Sequence, residues 1–271
     1  MGTTHLIEAE RHRLILKLLA ERSVLAVNQL CEILGVSEAT ARRDINALAD
    51  ASRLRRIRGG AEALAPRHEM HLVGVPFELN QGIGAEQKSA IARAAVELIQ
   101  EGESIIINGG TTTYAMVEFL LGRELDILTN SIPILSRLLA RSRNRVTVPG
   151  GTVYREQNIV LSPYESDTIA HFWGQKLFTG CYGLNRFGLM EADPLIVRAA
   201  MRLLARAEEL IVLADSRKFR QRSSMVVAPI ERISTLITDA RATEAELEPF
   251  RKAGIRVITT QVSLAAQAKA L

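Results

Sequence analysis

Aromatic residues make up only 4% of the 271 positions, although apolar residues together reach 47%. The core is therefore expected to be built from Leu, Ile, Val and Ala. Cysteine occurs twice, at Cys31 and Cys181. That is too few for a disulfide framework, and Cys31 falls on the apolar face of an expected helix, where it reads as a small core residue. No apolar run approaches the roughly 20 residues that cross a bilayer. No basic segment leads into a hydrophobic stretch at the N-terminus. These absences argue against a membrane span and a signal peptide, and make a reducing cytoplasm the expected location. Internal repeats and low-complexity tracts are lacking too. A net charge of +4 is too small to name a partner. His68-Glu69-Met70-His71 lacks the spacing of the helical His-Glu-x-x-His motif and lies between prolines, with no Cys or His cluster beside it. Neither a metal nor a cofactor is expected.

What the chain does have is positive charge gathered near one end. Between Ala51 and Ala61 lie Arg53, Arg55, Arg56 and Arg58, and no acid. Just upstream, Ser37 is placed to accept a first-turn amide and cap a helix. Ala41, Ile45 and Leu48 follow on one face of that helix. Ala39, Arg43 and Asn46 point the other way, flanked by Thr40 and Arg42. Arginine bonds guanine bidentately, and asparagine does the same to adenine. Arg43 and Asn46 are therefore expected on base edges, with Ser37, Ala39 and Thr40 sharing the DNA-facing surface. Arg42, Arg55, Arg56 and Arg58 are expected mainly on phosphates.

The support for this face lies upstream. Leu14, Ile15, Leu18 and Leu19 give one helix an apolar stripe, and Val27, Leu30, Cys31 and Leu34 give a second. Gly35 allows the turn into the capped helix, with Val36 as a staple before the cap. Helix, helix, glycine turn, capped helix and basic hairpin make a winged helix-turn-helix pattern, with double-stranded DNA as its partner. A small helical bundle with a solvated basic face is the bland alternative, and it leaves the placement of the glycine and the arginines unexplained. The DNA-binding domain is expected over 1–64 and a linker over 65–76, bounded by Pro66 and Pro76. A larger domain follows over 77–271.

In that larger domain strand and helix patterns alternate. A helix over 86–100 turns Ile91, Ala95, Leu98 and Ile99 inward. Ser104–Ile107, Leu125–Leu128, Val146–Val148, Leu210–Ala214 and Leu236–Thr238 read as apolar strands. Helices are expected over Thr112–Leu121, from Pro133, and before a last strand reaching Ile258. Such alternation predicts an α/β domain with a doubly wound, mostly parallel sheet.

Ligands of such sheets bind beyond the carboxyl ends of the strands. Asn108-Gly109-Gly110-Thr111-Thr112-Thr113 follows one strand and opens a helix. Its glycines leave amides free, its threonines carry donors, and a helix N-terminus favours an anion. This reads as a phosphate cradle without a Walker lysine, so nucleotide hydrolysis is not implied; a tight turn with an ordinary threonine cap fits the spacing as well. Asn130 and Ser131 follow the next strand. Asp215 ends another, three residues before Lys218, and suits a sugar hydroxyl as Lys218 suits a phosphate. Lys88, opening the 86–100 helix, is a further phosphate candidate. Gly150-Gly151 reads as a plain turn.

Thr40-Ala41-Arg42-Arg43-Asp44-Ile45 and Arg58-Gly59-Gly60-Ala61 resemble the signature of the DeoR-type bacterial transcriptional regulators. Lys88-Ser89-Ala90-Ile91-Ala92, Asn108 to Thr113, Thr129-Asn130-Ser131, Gly150-Gly151 and Asp215-Ser216-Arg217-Lys218-Phe219 continue the likeness in the family's order. Each motif alone is weak; together behind such a head they are specific. The resemblance implies a sugar-operon repressor, not an enzyme. It also implies a sensor domain like ribose-5-phosphate isomerase, a phosphorylated sugar or sugar-acid effector, and a homodimer or homotetramer. It favours the cradle and places Asp215 and Lys218 at the effector. Asn108 departs from the aspartate of many members and suggests a different effector. Asn46, Ala61-Glu62-Ala63 and Leu161-Ser162-Pro163 resemble the ascorbate-utilisation branch, while 171–191 resembles a rhamnose-repressor-like one. An isomerase with an appended DNA-binding domain is the alternative, weakened because Glu191 and Asp193 sit in no recognisable isomerase motif.

Overall fold

The computed structural model describes residues 7–22, 24–51, 53–64 and 77–261. The expected linker, with its His68-Glu69-Met70-His71, lies outside the described residues. The chain separates into two compact units, residues 1–70 and 71–271.

The first unit runs α1 (Glu8–Arg22), β1 (Val24–Ala26), α2 (Val27–Leu34), α3 (Glu38–Asp50), β2 (Leu54–Ile57) and β3 (Gly60–Ala63). Ser37 caps α3, its hydroxyl accepting the Thr40 amide at 3.3 Å. Gly35 turns the chain into α3 at φ 64°, a conformation that costs a residue with a Cβ. Ile15, Leu19, Leu30, Ala41, Ile45 and Leu48 meet in the core, as their spacing requires. Cys31 is only half-buried at its edge. The wing has one strand more than expected: β1 pairs antiparallel with β3, giving the order β1-β3-β2. A three-residue strand carries too little alternation to be read from sequence.

The second unit opens with α4 (Phe77–Gly82) and α5 (Ala85–Val96), then β4 (Ser104–Ile107), α6 (Thr111–Tyr114) and α7 (Val117–Leu120). Next come β5 (Asp126–Thr129), α8 (Ile132–Arg141), β6 (Arg145–Thr147), β7 (Thr152–Tyr154), β8 (Ile159–Leu161) and β9 (Gly174–Thr179). β10 (Gly183–Asn185), β11 (Gly188–Glu191), α9 (Pro194–Leu204), β12 (Ala207–Leu213), β13 (Met225–Ala228), β14 (Thr235–Asp239), α10 (Glu244–Lys252) and β15 (Arg256–Thr260) complete it. Seven strands form one sheet in the order β15-β14-β12-β9-β4-β5-β6, every neighbouring pair parallel.

Strand alternation divides the core between the two faces. Ile105, Ile107, Phe178 and Ile211 pack with α5, α7 and α8 through Ile91, Val117 and Ile134. Ile106, Leu177, Leu210 and Val212 pack the other way, with Leu203 of α9 and Phe250 of α10. This is the doubly wound arrangement expected of an alternating chain.

Three features depart from expectation. The helix foreseen over Thr112–Leu121 is two single turns, α6 and α7. Between them the Met116 amide reaches back only three residues, to the Thr113 carbonyl, at 3.1 Å, a tightening that stops an α-helix from propagating. The central strand β9 was not anticipated. Its first half reads Gly174-Gln175-Lys176, and Lys176 is tolerated there because Glu103 pairs with it. Finally, β10, β11 and β13 form a separate antiparallel sheet, and β7 and β8 a hairpin. Among the described residues no helix is long and apolar enough to cross a membrane.

Candidate functional site

On the first unit, α3 presents Ala39, Arg42, Arg43 and Asn46 to solvent, with Ser37 exposed and Thr40 half-buried at its start. The Ser37 and Thr40 hydroxyls are bonded to each other at 3.0 Å. Arg43 makes no ion pair or hydrogen bond among the described residues and is available for a base edge. Arg42 is paired with Glu38 at 2.5 Å and Arg55 with Glu62 at 2.5 Å. The acid-free wing therefore still meets an acid across the hairpin. Such exposed pairs are worth about 0–1 kcal/mol, less than a phosphate contact replaces. Arg56 donates to the Asn46 side-chain oxygen at 3.2 Å, spanning a small notch between α3 and the wing. Asn46 and Arg56 are thus coupled. Arg58 stands at the hairpin turn.

The helix face has a buried counterpart that sequence reading missed. Asp44, beside Arg43, points inward and takes Arg11 bidentately, at 2.7 and 3.0 Å, with His12 at 3.2 Å. Burial pushes the Asp44 carboxyl up, but Arg11 and His12 outweigh it and hold the group below the usual carboxylate range.

On the second unit a pocket gathers Asn108, Gly109, Gly110, Thr111, Thr112 and Lys218. The other predicted residues stand behind it. The Gly109 amide donates to the Asn130 side-chain oxygen at 2.8 Å. A Cβ at Gly109 would lie 2.3 Å from Ile159 Cγ2, so only glycine allows this approach. Thr113 is fully buried and donates to the Asn108 and Gly110 carbonyls, at 2.8 and 3.0 Å. Asn108 Nδ2 donates to the Thr179 hydroxyl at 3.0 Å. Ser131 caps α8, accepting the Ile134 amide. Asn130, Ser131 and Thr113 therefore shape the loop, while Gly110, Thr111 and Thr112 line the pocket.

Two of the expected effector contacts, Lys88 and Asp215, are engaged by other partners in this structure. Lys88 is buried and donates to the Asn80 carbonyl at 2.5 Å and to its side-chain oxygen at 3.3 Å. Asn80 lines the pocket and Lys88 does not. Burial lowers the Lys88 ammonium to about 8, against the pull of Asp215. Asp215 likewise turns away, binding Arg217 at 2.7 and 2.8 Å. Burial raises its carboxyl, but Arg217 and Lys218 overcome this and keep it below its ordinary range. The dipole argument is also weaker than expected, because α6 is a single turn. Attraction for an anion rests on loop amides, threonine hydroxyls and Lys218, whose Nζ otherwise bonds Gln221 at 3.1 Å.

Sequence reading missed Asn80, Gln157, Ile159, Cys181 and Tyr182 as pocket residues, and set aside Glu191, which also lines it. Glu191 accepts the Tyr182 amide at 3.1 Å, and burial pushes its carboxyl up to about 7, against the pull of Lys218. Burial also lifts the Cys181 thiol to about 12, which disfavours its thiolate. Asp193 is occupied, capping α9 through the Leu195 amide at 2.7 Å and accepting the Tyr154 hydroxyl at 2.7 Å. A cation, convergent amides and one acid suit an anion that also carries hydroxyls.

Residues 11–67 match the DeoR-like helix-turn-helix domain and residues 84–240 the DeoR C terminal sensor domain. The HTH-type transcriptional regulator UlaR of Shigella dysenteriae is 34% identical over 251 residues, 93% of this chain and 98% of that protein. The proteins of the same name in Shigella flexneri and Escherichia coli are similar to the same extent. Ribose 5-phosphate isomerase A of Methanocaldococcus jannaschii overlaps 48% of this chain and 52% of its own, at 14% identity and a TM-score of 0.37, too slight a likeness to argue from. A chain whose relatives are named as regulators over nearly their whole length is a regulator rather than an enzyme. It belongs to the DeoR family of helix-turn-helix transcriptional regulators.

Proposed function

We propose that this regulator represses a carbohydrate catabolic operon and releases its operator when a phosphorylated sugar or sugar acid enters the pocket at Gly109–Thr112. One observation carries the reading: Gly110, Thr111 and Thr112 line one cavity together with Lys218 and an acid, Glu191. The loop and Lys218 suit the phosphate, while Asn80 and Glu191 suit hydroxyls. The signal passes from this sensor, residues 77–271, through the 65–76 linker or an oligomer interface to the head at 1–64. Calorimetry with a panel of sugar phosphates, repeated in the presence of promoter DNA, tests it. A ligand that binds without changing DNA affinity counts against a sensor role.

Arg43→Ala is expected to cost about 1–3 kcal/mol at the operator and to blur specificity at one base pair of each half-site. Arg56→Ala is expected to weaken operator and random DNA alike, and to lower the salt slope by roughly one unit. Because Arg56 also steadies Asn46, some loss of specificity accompanies it. Titration of labelled DNA at several salt concentrations separates the two effects. Unchanged operator and random-DNA affinities for Arg43→Ala place the recognition face elsewhere.

A single head reads a half-site too short to be specific in a genome. The regulator is therefore a homodimer or homotetramer, with heads spaced by about 10 bp or a multiple. Sedimentation of the full chain at micromolar concentration is expected to show at least a dimer, and a strict monomer overturns this.

A further inference from the structure

A second cavity lies in the sensor unit, on the other side of β8 and α9 from the effector pocket. It has a volume of about 330 Å³, against about 90 Å³ for the effector pocket. β8 sends Ile159 into the effector pocket and Val160 and Leu161 to the second cavity. α9 sends Ile196 to the first, and Leu195, Arg198 and Ala199 to the second. β8 and α9 therefore contribute residues to both spaces.

We propose that this cavity is a second ligand site, for a small anion with an apolar body. Its walls are mostly aliphatic, from Val153, Leu161, Ile169 and Leu203, and its size falls in the range of ligand pockets rather than packing defects. Charge enters at the rim. Arg202 is neutralised by Asp167 at 2.7 Å. Arg198 is exposed and makes no ion pair or hydrogen bond among the described residues. An aliphatic chamber with one uncommitted guanidinium at its mouth fits a carboxylate or sulfonate with an apolar tail.

Asn130 gives the site its connection to the first. It lines the second cavity, yet its side-chain oxygen accepts the Gly109 amide of the phosphate loop at 2.8 Å. Its carbonyl accepts the Val160 amide at 2.7 Å. Its Nδ2 is buried with no hydrogen-bond partner among the described residues, and an orphaned buried donor in a cavity wall is unusual. An occupant that moves Val160 moves Asn130, and with it the loop.

The test uses the full-length protein and 1-anilinonaphthalene-8-sulfonate, an apolar anion that fluoresces when it leaves water, with hexanoate as competitor. One saturable site per chain is expected, displaced by hexanoate. Arg198→Glu is expected to weaken the probe at least tenfold. Ala199→Trp, which fills the chamber, is expected to abolish the site. Thr112→Asp is expected to retain it, which separates this cavity from the effector pocket. Absence of a saturable site overturns the proposal, and so does a site that Arg198→Glu leaves unchanged. A lower sedimentation coefficient for Arg198→Glu, with no probe site in the parent protein, shows instead that a second copy of the chain covers this face.

Discussion

Thr112→Asp is expected to bind promoter DNA as the parent protein does and to ignore the effector. Thr112 lines the pocket and is almost wholly buried. Aspartate is close to threonine in size, so the loop is expected to keep its shape. What changes is charge. A carboxylate about 4 Å from a bound phosphate opposes it by roughly 4 kcal/mol in a pocket this polar. That exceeds the coupling of about 1–3 kcal/mol by which effectors usually move a second site. Loss of effector affinity by at least a hundredfold follows, and derepression is lost with it. Calorimetry with sugar phosphates, parent against variant, reads the first effect, and DNA titration with and without ligand reads the second. Equal effector binding by both proteins puts the site elsewhere on the sensor.

The largest effect on stability is expected from Asp44→Ala. The substitution strips a bidentate partner from Arg11 and a third contact from His12. Asp44 ties α3 to α1, so its loss loosens the recognition helix at its back. Breaking a buried pair costs about 3–5 kcal/mol; since Arg11 and His12 keep some exposure, roughly 3 kcal/mol is the better figure. In a unit of this size that lowers the midpoint of its thermal transition by roughly 10–20 °C. The effect has a defined pH window. The folded-state carboxyl lies below its ordinary value, so its stabilisation is complete above the unfolded-state pKa, about pH 4. It is lost as pH falls through the lower folded-state value. Parent and variant therefore differ most at neutral pH and converge in acid. Calorimetric scans at pH 7 and pH 3 check both parts, and an unchanged midpoint at pH 7 sinks the argument.

Local chemistry was legible in the sequence, and distant pairing was not. Ser37, Gly35 and the Ala41–Ile45–Leu48 face are statements about neighbours within a turn or two, and the structure places them as read. Asp44 sat in a motif that was read for its arginines; its partner is 33 residues away, and nothing in either stretch points to the other. The same limit governs the pocket. The loop at 108–113 announced itself by composition and position after a strand. Asn80 and Glu191 reach the pocket from α4 and β11, neither of which borders a strand of the main sheet in sequence. Lys88 and Asp215 show the converse. A charge near the right strand end reads as a ligand contact, whereas the structure shows Lys88 and Asp215 already bonded to Asn80 and Arg217.

The position of β9 bears on how the chain is made. It is the strand through which the two halves of the main sheet join, pairing with β4 on one side and β12 on the other. Yet Gln175 lies 71 residues after Ser104, whose amide it takes. On a ribosome adding about 5–20 residues per second, β4 emerges several seconds before the strand that covers it. Throughout that interval the side of β4 that later pairs with β9, a strand of one serine and three isoleucines, stays open to the nascent chain's surroundings. An edge of that kind recruits other strands. Slow translation between codons 108 and 174 prolongs the exposure, and faster translation there shortens it. Soluble yield is therefore expected to fall when translation slows across codons 108–174, a stretch that contributes no strand to the main sheet beyond β5 and β6; equal yields from slow- and fast-codon versions of that stretch overturn this.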